Sequence, residues 1–235
     1  MAPRYRANRL YQEDKQLPFS ILSTDQDSTP SKVSVVARLI PAASYAIPAV
    51  GSAASALLVF GVMRAMRLAA STGVAAVAAG LAEANIPVLI ALYLAILCGV
   101  AGIVVAVIRS IAPTTTVSPS PWFFAVGGGL ALIPVVLLWE AESELIQVFS
   151  PSSTGLASTA STIQLLLTLT MILAPVSLLL LLAGSVWPLT SFSKPKWRPV
   201  VALIAVELAM IVAVIAFQTR IAWLNQIAVE GRFLG

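Results

Sequence analysis

The chain has 235 residues, of which 59% are hydrophobic and 10% charged, with 14 Lys and Arg, 10 Asp and Glu, no His and one Cys. A soluble domain carries roughly a quarter charged residues, and no water-soluble fold of this length can hide so much apolar surface, so composition excludes a soluble globular protein. The missing His and the lone Cys98 leave no zinc site or disulfide framework to build within one subunit.

Residues 1–41 form a polar arm of mixed charge, from Arg4, Arg6 and Arg9 through Glu13, Asp14, Asp25 and Asp27 to Lys32 and Arg38. Its basic start is not followed at once by an apolar core, so it does not read as a cleavable signal, and the arm is expected to stay on the side of synthesis. Apolar stretches follow at about 43–66, 86–109, 122–146, 162–188 and 199–219, each near the roughly 20 residues that a helix needs to cross hydrocarbon. The fold class predicted is an all-α integral membrane protein of about five transmembrane helices. Trp122, Trp139, Trp187, Trp197 and Trp223 fall at or near the predicted helix ends, where indoles favour the interface.

Loop charge sets the expected orientation. With the amino terminus cytoplasmic, ten of the 14 Lys and Arg lie inside, on the arm, at Arg109, and at Lys194, Lys196 and Arg198. Arg64, Arg67, Arg220 and Arg232 fall outside with Glu140, Glu142 and Glu144, which read as a solvated outer face. The carboxyl terminus is then outside. This distribution, and not nucleic-acid binding, is the simplest account of the net charge of +4. Pro48, Pro87, Pro134 and Pro175 predict kinks or helix starts, Ser150–Ser161 reads as an exposed loop, and Gly127, Gly128 and Gly129 suggest close helix packing.

Candidate sites are few. In the first span Gly51, Ser52, Ala53, Ala54, Ser55 and Ala56 make a small-residue stretch. It suits tight helix packing or, through Ser52 and Ser55, a weakly polar lining for an ion path or a partner helix. Glu207 lies near the middle of the predicted fifth span, where an unpaired carboxylate costs several kcal/mol and an acid tends to stay neutral or find a partner. It is either a functional group or a hydrogen-bonding one. Tyr93, Thr168 and Thr170 are expected to bond between helices, and Tyr93 is with Ser52, Ser55 and Glu207 a candidate for an ion path or a partner-helix contact. No nucleophile with a base, no metal-ligand spacing and no cofactor motif appears, so the chain is not expected to be an enzyme.

The segment from Pro48 to Arg109, opening PAVGSAASALLVFGVMRAMRLAASTGVAAVAAGLAEA, resembles the two-helix core of the MotA/TolQ/ExbB ion-driven motor subunits. Phe60-Gly61-Val62-Met63-Arg64-Ala65-Met66 matches the Gly-bearing part of that family's inner helix. Ala78-Ala79-Gly80-Leu81-Ala82-Glu83-Ala84 matches the segment that opens the next helix. On this reading Gly51, Gly61 and Gly80 allow close helix approach, and Glu83 caps a helix amino terminus, where the macrodipole favours a carboxylate. The chain then divides into the arm (1–41), a two-helix motor-like core (42–110) and three additional transmembrane helices (111–235). Leu58 and Pro87/Val88 stand where family members carry threonines.

The resemblance implies a homo-oligomer in a bacterial cytoplasmic membrane. It would be a ring, a pentamer in the family, around a dimer of a single-span protein with an intramembrane Asp, driven by proton motive force. The rival readings are a non-conducting structural subunit of a larger membrane complex and an autonomous transporter or channel using Glu207.

Overall fold

The structure, a computed structural model, describes residues 32–68, 73–111, 121–148, 156–186 and 197–233. The chain divides into two compact units, Met1–Val35 and Val36–Gly235. The polar arm through residue 31 lies outside the described residues, and the second unit holds the helical bundle. Its helices are α1 (Lys32–Leu68), α2 (Val74–Ala84), α3 (Ile86–Ile111), α4 (Pro121–Val148), α5 (Leu156–Val186) and α6 (Trp197–Phe233). Among the described residues there is no strand, and five stretches are long and apolar enough to cross a membrane: Leu39–Leu68, Val74–Val104, Trp122–Val148, Ala160–Ala183 and Val200–Glu230.

The second span starts a dozen residues earlier than the apolar run suggests, because α2 and α3 form one nearly continuous helix with a defect at Asn85. The cause is Pro87, which has no N–H to donate and whose ring crowds the carbonyl four residues before it. Asn85 keeps right-handed helical geometry (φ −81°, ψ −14°). Its N–H bonds the Leu81 carbonyl and its own carbonyl accepts from Leu89, both at 3.1 Å. The chain therefore passes the proline without leaving the helical path. The Val88 N–H, just past the proline, donates to Ser55 Oγ of α1 at 3.2 Å.

Two other boundaries also move. Leu156–Ser161, expected in a loop, is the first part of α5, since its Leu and Ala residues can start a helix once Pro151 and Gly155 are passed. Helix α6 runs on to Phe233, because Ile221, Leu224, Ile227 and Ala228 continue an inward-facing apolar stripe beyond the Arg220 that seemed to end the span.

The five spans alternate in direction, α2 and α3 together making one of them. At one end of the bundle the starts of α1, α4 and α6 meet the ends of α3 and α5 around Ala42, Tyr45, Ala95, Ala125, Leu181 and Leu203. At the other, Val59, Leu81, Leu138, Ile163, Phe217 and Leu224 pack together. Between them Ala49, Ala131 and Ala174 form a small alanine-only waist. Lipid tails are as apolar as leucine, so in a bilayer close packing and polar contacts, more than apolar burial, hold helices together. The waist and the glycine contacts described below serve that purpose. α1 is the most enclosed span, with 50% of its most apolar stretch buried against 28% to 39% elsewhere. Trp139, expected at an interface, instead lies half-buried in α4, edge-on to Phe217 with centroids 5.2 Å apart.

Candidate functional site

The interior holds two polar clusters. The first grows from the defect at Asn85. Its side-chain Nδ2 donates to the Leu81 carbonyl at 3.1 Å and to Glu142 Oε2 of α4 at 2.9 Å. The same carboxylate oxygen accepts from Arg220 Nε of α6 at 3.1 Å. Arg220 Nη1 donates to Ser143 Oγ at 3.1 Å, whose hydroxyl donates in turn to the Trp139 carbonyl at 2.9 Å. The guanidinium carbon stands 4.3 Å from the centre of the Trp139 ring, within cation–π range. Asn85 and Glu142 are fully buried and Arg220 is 7% exposed. Charge and counter-charge, three helices and a proline-induced break thus meet at one point.

This cluster corrects the reading of the acidic triplet. Successive helical residues are about 100° apart, so residues two apart face opposite ways. Glu140 is accordingly exposed while Glu142 points inward. Arg220 is not a loop charge but the partner of that inward acid. The sequence holds a signal for both: the two-residue spacing of Glu140, Glu142 and Glu144 is not that of one solvated helix face, and the apolar stripe continues past Arg220.

The second cluster lies at the opposite end, where α6 begins. Glu207 is 5% exposed, and among the described residues its carboxylate has no counter-charge and the Tyr45 hydroxyl as its polar neighbour. Its carboxyl fills the space that a Cβ would need at Gly99 of α3, so a side chain there would have to displace it. Beside it Tyr45 of α1, 1% exposed, donates its hydroxyl to the Gly99 carbonyl at 3.4 Å. The Tyr45 ring lies 5.8 Å from that of Phe124. A Cβ at Gly102 would stand 3.2 Å from the Tyr45 hydroxyl, and one at Gly128 would stand 3.1 Å from its ring. Glycines of α3 and α4 thus carve the slot that Tyr45 and Glu207 occupy. Glu207 belongs to the first third of the lengthened α6, not to its middle.

Comparison with family models, with curated proteins and with solved structures finds no match for this chain.

The other candidates are distributed as follows. Ser52 and Ser55 are fully buried; Ser52 Oγ donates to the Ala49 carbonyl at 2.9 Å and Ser55 accepts from Val88. Gly51 lies where α1 crosses α3, and a methyl there would collide with Ala91 and stand 2.9 Å from the Pro87 carbonyl oxygen. Gly80 meets Val62, whereas nothing lies within 4 Å of the place a Cβ would take at Gly61. Among the described residues Gly61 therefore packs against no other helix. Glu83 is exposed in the last turn of α2, because that helix opens at Gly73; the first turns of α2 and α3 hold no acid. A capping role at a helix amino terminus is thus corrected. Tyr93 is exposed and accepts from Gln218 Nε2 of α6. Thr168 and Thr170, expected to bond between helices, instead donate to carbonyls of their own helix, those of Gln164 and Leu166. Among the described residues no group of three or more His, Cys, Asp or Glu side chains is placed to hold a metal ion.

Proposed function

We propose that this protein spans a bacterial cytoplasmic membrane five times and couples proton movement to its work, with Glu207 as the group that takes up and releases the proton. One observation carries the reading: a carboxyl on an apolar span is almost wholly buried against the Gly99 backbone with no counter-charge among the described residues, its polar neighbour being the Tyr45 hydroxyl. Ionisable groups inside spans are rare and face bundle interiors or ion pathways. Glu142 does not compete for the role, because Arg220 compensates its charge. The amino terminus is assigned to the cytoplasm on the positive-inside rule, and the withdrawal of Arg220 into the bundle sharpens that asymmetry.

Proton occupancy of Glu207 is tested with a membrane-permeant carbodiimide, which modifies protonated carboxyls in apolar surroundings. The native chain is expected to be labelled at Glu207, the label to be lost in Glu207→Gln, and Glu142 to stay unmodified. In proteoliposomes with a trapped pH-sensitive dye, Glu207→Gln is expected to abolish proton flux while Glu140→Gln leaves it intact. Undiminished flux in Glu207→Gln would overturn the assignment and favour a structural subunit.

A motor-type ring subunit is the second reading, favoured by the outward face of α1. Leu57, Leu58, Gly61, Arg64 and Leu68 are exposed, and the open space at Gly61 leaves room for a closely packed partner helix. Five copies found with two copies of a single-span, Asp-bearing chain in the gently extracted complex would favour this reading over an autonomous transporter.

A further inference from the structure

Among the described residues the bundle's outer surface carries a polar pair near mid-span. Tyr93 of α3 and Gln218 of α6 are hydrogen-bonded to each other and exposed, within about one turn of the midpoints of Val74–Val104 and Val200–Glu230. Apolar side chains surround them: Ile90 and Leu97 lie on the Tyr93 face of α3, and Ile211 and Ile215 on the Gln218 face of α6, all exposed. Two exposed hydroxyls are satisfied by their own helices, Thr168 by the Gln164 carbonyl at 2.7 Å and Thr219 by the Ala216 carbonyl at 2.8 Å. The Tyr93–Gln218 pair is different. A primary amide offers two donors and a carbonyl acceptor, and a phenol one donor and an acceptor. Whichever way the amide is turned, one mutual bond leaves at least one donor and one acceptor unused. Hydrocarbon can satisfy neither.

We propose that the α3/α6 face is the contact with a second copy of this chain, related by a two-fold axis along the membrane normal. Such an axis sets each copy's spare donor against the other's spare acceptor at the same depth. A self-complementary patch of this kind is what an isologous interface requires. Interhelical bonds from polar side chains at small-area contacts hold such faces together in lipid. The inference stands on this surface pair and does not depend on the proton-binding role of Glu207.

The test uses the full chain in membranes, in a Cys98→Ser background, with single cysteines introduced as Ile90→Cys, Ile215→Cys or, on the exposed side of α5, Leu179→Cys. A short bis-maleimide is expected to give a covalent dimer of twice 24.6 kDa from Ile90→Cys and Ile215→Cys, and none from Leu179→Cys. Adding Gln218→Leu is expected to lower the dimer yield roughly fivefold at limiting protein concentration, the effect of losing two interhelical hydrogen bonds. The proposal is overturned by no cross-link at either position, by equal cross-linking from Leu179→Cys, by a product with a chain of different mass, or by a yield indifferent to Gln218→Leu. A five-fold assembly by native mass spectrometry would also overturn the two-fold contact.

Discussion

Glu142 and Glu207 are both buried acids on apolar helices, yet their surroundings differ in kind. Glu142 sits at a junction of three helices with an arginine, an asparagine and, through the arginine, a serine and an indole within reach. Glu207 lies against a glycine backbone with the Tyr45 hydroxyl beside it and, among the described residues, no counter-charge. Burying a charge is costly unless it is paired and hydrogen-bonded. The first acid has a counter-charge inside the chain, although Glu142 Oε1, Asn85 Oδ1 and Arg220 Nη2 lack partners among the described residues, so its role is to join helices. The second has no such counter-charge, and a buried acid that no cation holds ionised can respond to a proton. Burial alone does not distinguish the two; the counter-charge does.

The sharpest way to break the comparison is to remove the partner from the paired acid. Arg220→Met leaves Glu142 with Asn85 alone, and the loss of one member of a buried pair costs about 3–5 kcal/mol. Unfolding followed in detergent should register that loss. The double variant Glu142→Leu with Arg220→Met should recover most of it, because well-packed apolar residues often replace a buried pair at little cost. If Arg220→Met is as stable as the native chain, the ion pair does not join α4 to α6 and the contrast between the clusters fails. Next in size is Gly99→Val, which drives a side chain into the Glu207 carboxyl and should cost about 1–3 kcal/mol, as overpacking does. Adding Glu207→Ala should restore much of that stability. A double variant no better than Gly99→Val would mean that the glycine is needed for another neighbour.

The five apolar spans are legible in the sequence because roughly 20-residue runs with almost no charge leave little choice, and Glu207 is legible because it interrupts such a run. The interior polar contacts are harder to read. Asn85 is an ordinary polar residue in a sequence that looks like a turn; only Pro87 on an otherwise continuous helix makes it a junction. Arg220 follows Gln218 and Thr219, so local polarity marks a span end, and the helix continues only because Leu224 and Ala228 find an apolar neighbour across the bundle. Tyr45 carries no signal of its own. Its slot is formed by Gly102 and Gly128, more than 50 and 80 residues away, and a single sequence does not pair glycines with the ring they admit. Gly61 shows the converse: a glycine in a packing motif with no partner helix among the described residues.

The smallest expected effect sharpens the view of Glu207. Tyr45→Phe keeps the ring against Phe124 and Gly128 and removes only the hydroxyl, whose bond to the Gly99 carbonyl is long at 3.4 Å. A typical intramolecular hydrogen bond contributes about 0.5–1.5 kcal/mol and weakens with distance, so the variant should lose less than about 1 kcal/mol by the same unfolding measurement. The Gly99 carbonyl also lies on a helix, where its backbone bond can carry it without the phenol. A loss as large as that of Arg220→Met would mean that the hydroxyl anchors α1 to α3. The Glu207 end of the bundle would then be a structural junction like the Glu142 end, and the Glu207 carboxyl would lose its claim to be set apart.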